Sequence, residues 1–512
     1  PHSDAGGDAY YIGDAYEPAK CAHEWEIKDN LRRPYLEYIK RISKHFPHLE
    51  YLAHWMEVTC APPKWKFIQK CESNRESRAR RCHVCVLNYD GDGSLSSKTH
   101  ESTVGLGAAL MNDPSDGGKA PVRLIIVEDL SRDVVELLGA RYDIDPLFFL
   151  SHIGDYLFHN TRDRWVELPD LNVVARQRPY FNVSYLRARY FKSQLEFAEA
   201  ERQTGMWNVL RRLDSDRSSK RLSNGLLDEK DACVTLTRAK TSVWVKPRSS
   251  TEPVIAIVLV DPTVEVGYPQ WGGYRPFAPT PSMHDETAAE GPPRTSLFHD
   301  TVYWSSKMTK DELDIMRADT KFTVAIPILR LVLADWMTVL KYMATMLNKL
   351  EWEFERPHFW ESPGDIDGLL KKLSPWRRNV PLYNGMISDA IDRIFGHNAR
   401  PEDRNANASV PSPDLGILSL LQDFRSIQQQ MAESQKRIDT YQNIVTASVN
   451  IEESRRAVQQ NQQIGRLTWI ASLFIPLNAT SSFLSISPDF SAAIQTIRLF
   501  FAIGIPLTII AM

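Results

Sequence analysis

Cysteines between residues 60 and 85 are the side chains whose spacing comes closest to a metal-binding motif. Cys60, Cys71, Cys82 and Cys85 lie in this stretch, and Cys82 and Cys85 form its single C-x-x-C pair. A structural zinc site usually takes two such pairs. We therefore interpret the four residues as scattered thiols, and the sequence leaves the metal ligands of the chain unknown.

A run of acidic residues resembles a second kind of metal site. Asp90, Asp92 and Glu101 space their carboxylates as a calcium-binding loop does. Leu95, however, occupies the position at which that loop requires glycine. We expect a polar surface loop here.

Catalytic motifs are absent from the sequence. It contains neither a G-x-S-x-G nucleophile motif nor an H-E-x-x-H zinc motif. His152 and His159 lie near Asp155, and we interpret them as ordinary helix residues. The sequence therefore predicts that the protein is not an enzyme and that it uses no cofactor.

The charge balance and the cysteine content limit the possible partners and compartments. The 512 residues include 61 basic and 64 acidic side chains, which gives a net charge of −3. With this net charge, the chain as a whole has no electrostatic attraction for nucleic acid or for an anionic membrane surface. Six cysteines are too few for a disulfide scaffold, so we expect reduced thiols in a cytosolic region.

The first 305 residues predict a mixed α/β region. Two helices, separated at Pro47, are predicted within residues 31–58, and a polar, Gly- and Pro-rich stretch covers residues 262–293. Aliphatic and β-branched runs predict strands at residues 82–87, 122–127, 165–168, 182–186 and 254–260, and helical spacing predicts helices at residues 131–138 and 146–158.

Residues 306–466 predict long helices. Residues 322–350 are apolar but include Arg330, Asp335 and Lys341, so we expect a buried helix rather than a membrane span. Apolar residues then recur every three or four positions after Pro413, and the next proline is Pro476. This pattern predicts one helix from near Leu415 to near Ile486, about 100 Å long, which needs neighbouring helices or further copies of itself. The apolar stripe of this predicted stalk includes Leu421, Met431, Ile438 and Val445.

Residues 467–512 predict a membrane hairpin. Residues 467–486 carry no charge over about 20 positions, which is long enough to cross a bilayer. Arg466 immediately precedes them and favours a cytosolic start, so the large N-terminal region is expected in the cytosol. A second apolar run reaches Met512, and we expect a second span that is truncated there. The chain as a whole is thus predicted to be α+β, with its stalk helix continuous with the first of two transmembrane helices.

A polar stripe marks the first predicted span. Asn478, Ser482 and Ser485 share one helical face with Ala471 and Ile475. Polar groups in hydrocarbon must face protein or water, because an unpartnered amide or hydroxyl is costly there. Small hydroxyl residues also mediate close helix packing in membranes. The stripe therefore predicts either a pore lining or a helix–helix contact, and its residue types leave both open.

The first span resembles a known transporter family. Residues 466–483 contain Leu-Thr, then Phe-Ile-Pro-Leu and several small residues, and they resemble the first transmembrane helix of CorA-type divalent-cation transporters. Residues 501–508 look like the second helix of that family. Residues 143–152 and 333–337 resemble fungal members with enlarged cytosolic domains.

This resemblance implies a membrane-embedded homopentamer that moves a divalent cation, magnesium or zinc, passively through an axial pore. The stalks would form a cytosolic, coiled-coil-like funnel, and hydrated magnesium would be the expected ion. By the same resemblance, the residues facing the pore would be Ile464, Leu467, Ala471, Ile475, Asn478, Ser482 and Ser485.

The resemblance fails at the family's selectivity motif. Aligning residues 474–477 places Ser485, Ile486 and Ser487 where the family has Gly-Met-Asn. Both the glycine that allows close backbone approach and the asparagine that contacts the hydrated ion are replaced. The alternative hypothesis is therefore a non-conducting, membrane-anchored scaffold or sensor with a CorA-like fold.

Overall fold

The computed structural model describes most of the chain, with several gaps. The described residues are 31–58, 72–91, 93–111, 121–154, 170–211, 213–215, 232–247, 252–280, 282–284, 291–318, 322–355, 366–396, 417–485 and 493–511. These residues form two compact units, one containing residues 1–356 and 371–438 and the other residues 357–370 and 439–512. The domain boundaries near residues 305 and 466 stay predictions.

A mixed sheet organises the first unit. Its strands are β1 (His83–Tyr89), β2 (Leu95–His100), β3 (Val122–Glu128), β4 (Tyr180–Phe191), β5 (Leu213–Ser215), β6 (Cys233–Val245), β7 (Val254–Val260) and β8 (Tyr268–Pro269). They are ordered β2-β1-β3-β7-β6-β4-β8, with β5 added to β6. The β3–β7 pair is parallel, with Val122 opposite Val254, and the other pairs are antiparallel.

Helices make up most of the remaining described structure. They are α1 (Pro34–Ser43), α2 (Glu50–Val58), α3 (Glu72–Arg80), α4 (Thr103–Met111), α5 (Arg132–Tyr142), α6 (Pro146–Ile153), α7 (Asn172–Gln177), α8 (Gln194–Met206), α9 (Leu297–Ser306), α10 (Lys310–Ala318), α11 (Ile326–Glu355), α12 (Ile366–Phe395), α13 (Ser419–Leu484) and α14 (Ala493–Ala511). Short 3₁₀ segments occupy Pro47–Leu49, Gln270–Gly273 and Phe322–Ala325. The α+β class predicted from the sequence is confirmed.

One face of the sheet is covered by the N-terminal helices. Alternate residues of the strands, such as Val84, Ile125 and Ile257, pack with residues of α1, α2, α5 and α6 into one hydrophobic core. Helix α1 lies so close to α5 that a Cβ at Gly139 would come within 2.4 Å of the Tyr35 ring. The Tyr35 hydroxyl completes this contact by donating to the Ile144 carbonyl at 2.6 Å.

The opposite face of the sheet is covered by α9 and α11. Helix α11 packs on β4, and α9 packs on β3 and on α11. Of the most apolar 18-residue window within Thr323–Trp352, 83% is buried, and Trp336 in the middle of this segment is fully buried. The prediction of a buried core helix at residues 322–350 is therefore confirmed.

The long helix α13 begins and ends close to the predicted limits. Its first part packs on α12, where the Phe424 and Phe395 rings lie 5.7 Å apart and Gln428 donates to the Ser388 hydroxyl at 2.8 Å. Met431 and Ile438 of the predicted apolar stripe are buried. Leu421 is only half-buried, and its neighbour Leu420 is buried instead. The helix continues through Gly465 without a break.

The strands differ from the predicted ones in two respects. The predicted strands at residues 82–87, 122–127, 182–186 and 254–260 are confirmed, and the one at 165–168 lies outside the described residues. Strands β2 and β6 were not predicted, because β2 is almost entirely exposed and β6 contains Arg238 and Lys240. Every residue of β6 is nevertheless buried.

Candidate functional site

The C-terminal part of α13 presents apolar residues to its surroundings. Leu467 is 72% exposed, Trp469 60% and Ile475 66%. In the most apolar 18-residue window of α13, only 11% of the residues are buried. The corresponding window of the core helix α11 is mostly buried. Exposed apolar surface on this scale is typical of a segment that lies in lipid or against a partner. By length and composition, α13 is a candidate membrane span, and α14 is a shorter apolar helix.

Small residues form the contact between α13 and α14. Pro476 and Thr480 on α13, with Gly504 and Thr508 on α14, are the buried residues here. A Cβ at Gly504 would lie 3.2 Å from the nearest Leu477 carbon, so glycine allows the helices to approach closely. Each threonine hydroxyl donates to a carbonyl of its own helix at 2.6 Å and needs no partner across the contact. This arrangement is the small-residue packing that membrane helices use.

The polar stripe lies on the other side of α13. Asn478 and Ser482 are each two residues from Thr480, which places them about 200° around the helix and away from α14. Asn478, Ser482 and Ser485 are exposed. The stripe is therefore not the contact that holds the α13–α14 pair together.

The other residues predicted to face the pore share this side of the helix. All of them are exposed except Ala471, which is half-buried; they are Ile464, Leu467, Ala471, Ile475, Asn478, Ser482 and Ser485. Of the positions aligned with the selectivity motif, Ser485 follows the last residue of α13, and Ile486 and Ser487 lie outside the described residues. The role of these residues in ion passage stays a prediction.

The cysteines of the described chain are buried thiols. Cys82 lies 3.6 Å from the His100 carbonyl, and Cys85 lies 3.5 Å from the Ser97 hydroxyl. Burial raises the pKa of the Cys82 thiol to about 11. Within the described ranges, no three His, Cys, Asp or Glu side chains come together to hold a metal ion. Cys60 and Cys71 lie outside those ranges.

Alkylation of the native protein should therefore spare the buried cysteines. At about pH 8, a thiol of pKa about 11 is only about 0.1% thiolate, and the thiolate is the reactive form. We expect iodoacetamide to leave Cys82, Cys85 and Cys233 unmodified in the folded protein and to label all three after denaturation. Peptide mass spectrometry reports each site separately. Rapid labelling of Cys82 in the native state would contradict the burial found here.

The calcium-like loop is the turn of a hairpin. Residues 90–94 connect β1 to β2, and the Ser94 hydroxyl donates to the Asp90 carboxylate at 3.2 Å. Gly93 has a φ of +87° and donates its N–H to the Asp90 carbonyl at 2.9 Å, so the turn needs glycine at that position. Asp90 thus stabilises the hairpin turn, and Asp92 lies outside the described residues.

His152 belongs to a buried ionic cluster that the sequence did not predict. Its Nδ1 lies 2.9 Å from the Ser242 hydroxyl, and burial, with Arg211 and Lys240 nearby, holds its pKa well below the ordinary value. Arg211 pairs with the buried Asp261 and also donates to the carbonyl of His152 at 2.8 Å. Lys240 donates to the Ser151 carbonyl at 2.7 Å. The two cations thus cap the C-terminus of α6, which is a structural role.

Comparisons with known proteins give only distant likenesses. No protein-family model matches the chain, and no curated protein matches it. Among solved structures, the CorA magnesium transporter from Methanocaldococcus jannaschii aligns with 83% of this chain and 95% of its own, at 10% identity and a TM-score of 0.36. The full-length CmaX protein aligns with 84% of this chain and 98% of its own, at 10% identity and a TM-score of 0.33. At these values the functional argument rests on the chain's own residues.

Proposed function

We propose that this chain is a subunit of a membrane transport protein that moves divalent cations passively through an oligomeric pore. The observation that carries the proposal is the polar stripe of α13. Asn478, Ser482 and Ser485 lie on the side of the apolar helix that α14 leaves open. In hydrocarbon, such groups require water or another protein surface. Several copies arranged around an axis would satisfy them with a water-filled path.

The continuity of α13 supports the same proposal. One helix of 66 residues leads from the core of the first unit to the apolar segment. A stalk that runs directly into a first membrane span requires such continuity, and α13 remains helical at Gly465 and at Pro476. The resemblance of residues 466–483 to the first span of CorA-type transporters adds a homopentamer, with the N-terminal region in the cytosol, to the proposal.

The non-conducting scaffold remains the second candidate function because of one sequence feature. Ser485, Ile486 and Ser487 replace the Gly-Met-Asn selectivity motif. The predicted pore face also carries no carboxylate that would attract a divalent cation. A pore that has lost its ion-contacting residues could still anchor a cytosolic domain to a bilayer.

Ion flux through the purified protein in liposomes distinguishes the two candidates. We expect Mg²⁺ or Zn²⁺ to enter vesicles when a potassium gradient with valinomycin makes their interior negative, and an enclosed fluorescent indicator measures the entry. Protein-free vesicles and vesicles without a potential are the controls. An intact oligomer that passes neither ion would favour the scaffold.

A further inference from the structure

A cavity in the first unit lies between the sheet and the helices α9 and α11. Its volume is about 50 Å³, and its walls come from β4, β6, the segment after β7, the 268–275 segment and the two helices. A buried water needs roughly 10–15 Å³ of such space, so the cavity exceeds what one water requires and has room for a small polar group.

Arginines from separate elements line this cavity. Arg187 and Arg189 alternate along β4 and therefore share one face of the sheet. Arg275 follows the 3₁₀ segment Gln270–Gly273, and Arg294 precedes α9. With Arg238 of β6, five arginines therefore line one small volume.

Two aspartates neutralise part of this charge. Arg275 donates to Asp335 at 2.7 Å and to Asp300 at 2.9 Å, so both carboxylates are engaged by one guanidinium. Arg187 lies 3.3 Å from the other oxygen of Asp335 and donates to the Thr263 hydroxyl at 2.7 Å. Asp261 also lines the cavity, but its carboxylate pairs with Arg211, so Arg187, Arg189, Arg275 and Arg294 have two carboxylates between them.

Arg189 and Arg294 have only neutral acceptors among the described residues. Arg189 donates to the carbonyls of Val266, Glu265 and Gly267 through Nε and Nη2, which leaves the Nη1 donors available. Burial, with the like charge of Arg187, lowers the pKa of Arg189 to about 10. The side chain of Arg294 reaches only the Gly272 carbonyl, at 3.5 Å. Two positive charges therefore lack a counter-charge.

The backbone beside the cavity is held in unfavourable conformations. Trp271 and Arg294, with φ of +49° and +54°, are two of the four non-glycine residues that have positive φ in the described chain. Backbone strain of this kind collects at ligand-binding segments. Tyr274 lines the cavity and is 63% exposed, so an aromatic ring stands at its mouth.

We propose that this cavity binds a phosphate group, held by Arg189 and Arg294 with support from Arg187. A phosphate at neutral pH carries a charge of about −1.5 to −2, which matches the two unbalanced guanidinium groups. The phosphate is either free inorganic phosphate or part of a small phosphorylated molecule whose remainder contacts Tyr274. The proposal concerns the first unit alone and is independent of ion transport.

Titration calorimetry on the full chain in detergent tests the site. The probes are inorganic phosphate and AMP, each at matched ionic strength, with chloride as the reference anion. We expect at least one probe to bind, and Arg294→Gln to weaken binding by about ten- to a hundredfold, the effect of one charged hydrogen bond. Equal affinities would identify free phosphate as the ligand, and tighter AMP binding would identify a phosphorylated molecule.

Variants separate the cavity from non-specific attraction. Arg294 is exposed, so Arg294→Gln should fold normally, whereas Arg189→Gln tests the interior of the site. The matched control is Arg202→Gln, which changes an exposed arginine on α8 that pairs with Glu199 and does not line the cavity. The proposal is wrong if neither probe binds the wild-type protein, or if Arg294→Gln and Arg202→Gln bind as the wild type does.

Discussion

Replacing Asn478 with leucine should abolish cation flux and leave the oligomer intact. Asn478 is the strongest hydrogen-bonding side chain of the polar stripe, and it lies on the side of α13 away from α14. With serine at positions 485 and 487 in place of the family's glycine and asparagine, Asn478 would provide the best polar ring in the pore. Leucine would replace that ring with an apolar constriction, which blocks hydrated ions by expelling water. Liposome flux and the oligomer mass in detergent are measured together.

The matched control changes an apolar residue away from the stripe. Phe483→Leu alters a side chain that is 78% exposed and lies about 140° around the helix from Asn478, so flux should be unchanged. Loss of the oligomer in Asn478→Leu would identify Asn478 as a contact between subunits. Unchanged flux in Asn478→Leu would show that the stripe does not face the ion path.

The sequence predicted those elements whose burial follows from their side chains. Strand β7 is apolar at every position, and α11 is apolar except for a few charges, so both were identified. Strand β6 was not predicted because its polar side chains form their hydrogen bonds with residues that are distant in the sequence. The Thr241 hydroxyl, for example, donates to the Leu259 carbonyl on β7 at 2.9 Å. A partner that depends on tertiary folding leaves no local pattern.

The same limit applies to the sites. Helical spacing alone placed Asn478, Ser482 and Ser485 on one face, because α-helical periodicity is regular. It could not indicate which face α14 covers, since that depends on Gly504 and on a contact between separate segments. The arginine-lined cavity was beyond prediction for the same reason. Its only local signal was Arg187 and Arg189, two positions apart just after the strand predicted at residues 182–186.

Replacing Arg211 with methionine should destabilise the first unit by about 3–5 kcal/mol, the usual cost of breaking a buried ion pair. Arg211 and Asp261 are both nearly inaccessible, at 6% and 2% exposure. Methionine would leave the Asp261 carboxylate buried without its guanidinium partner and would remove one of the two cations that cap the end of α6. Urea unfolding followed by tryptophan fluorescence measures the loss. As a control, Arg202→Met breaks the exposed ion pair between Arg202 and Glu199 and should leave the unfolding curve unchanged.

The pH dependence and a double variant distinguish lost charge pairing from lost packing. Burial already raises the pKa of Asp261 against the opposing effect of Arg211 and Lys240, and removing Arg211 should raise it further. An acid whose pKa is higher in the folded state makes stability fall as pH rises, so the deficit of Arg211→Met should be smaller at about pH 5 than at about pH 8. His152 is neutral in the folded protein but is protonated in the unfolded chain below its ordinary pKa of 6.5, so it lowers the stability of both proteins as pH falls towards 5. Because Arg211 helps to hold the His152 pKa low, its removal also makes the deficit smaller at about pH 5, and any pH dependence that remains after Asp261→Leu is added reports this contribution of His152. Adding Asp261→Leu removes the stranded carboxylate, and the double variant should be more stable than Arg211→Met alone. If the stability losses of the two single variants simply add in the double variant, and if neither loss depends on pH, Arg211 acts through its hydrogen bonds to the α6 carbonyls instead.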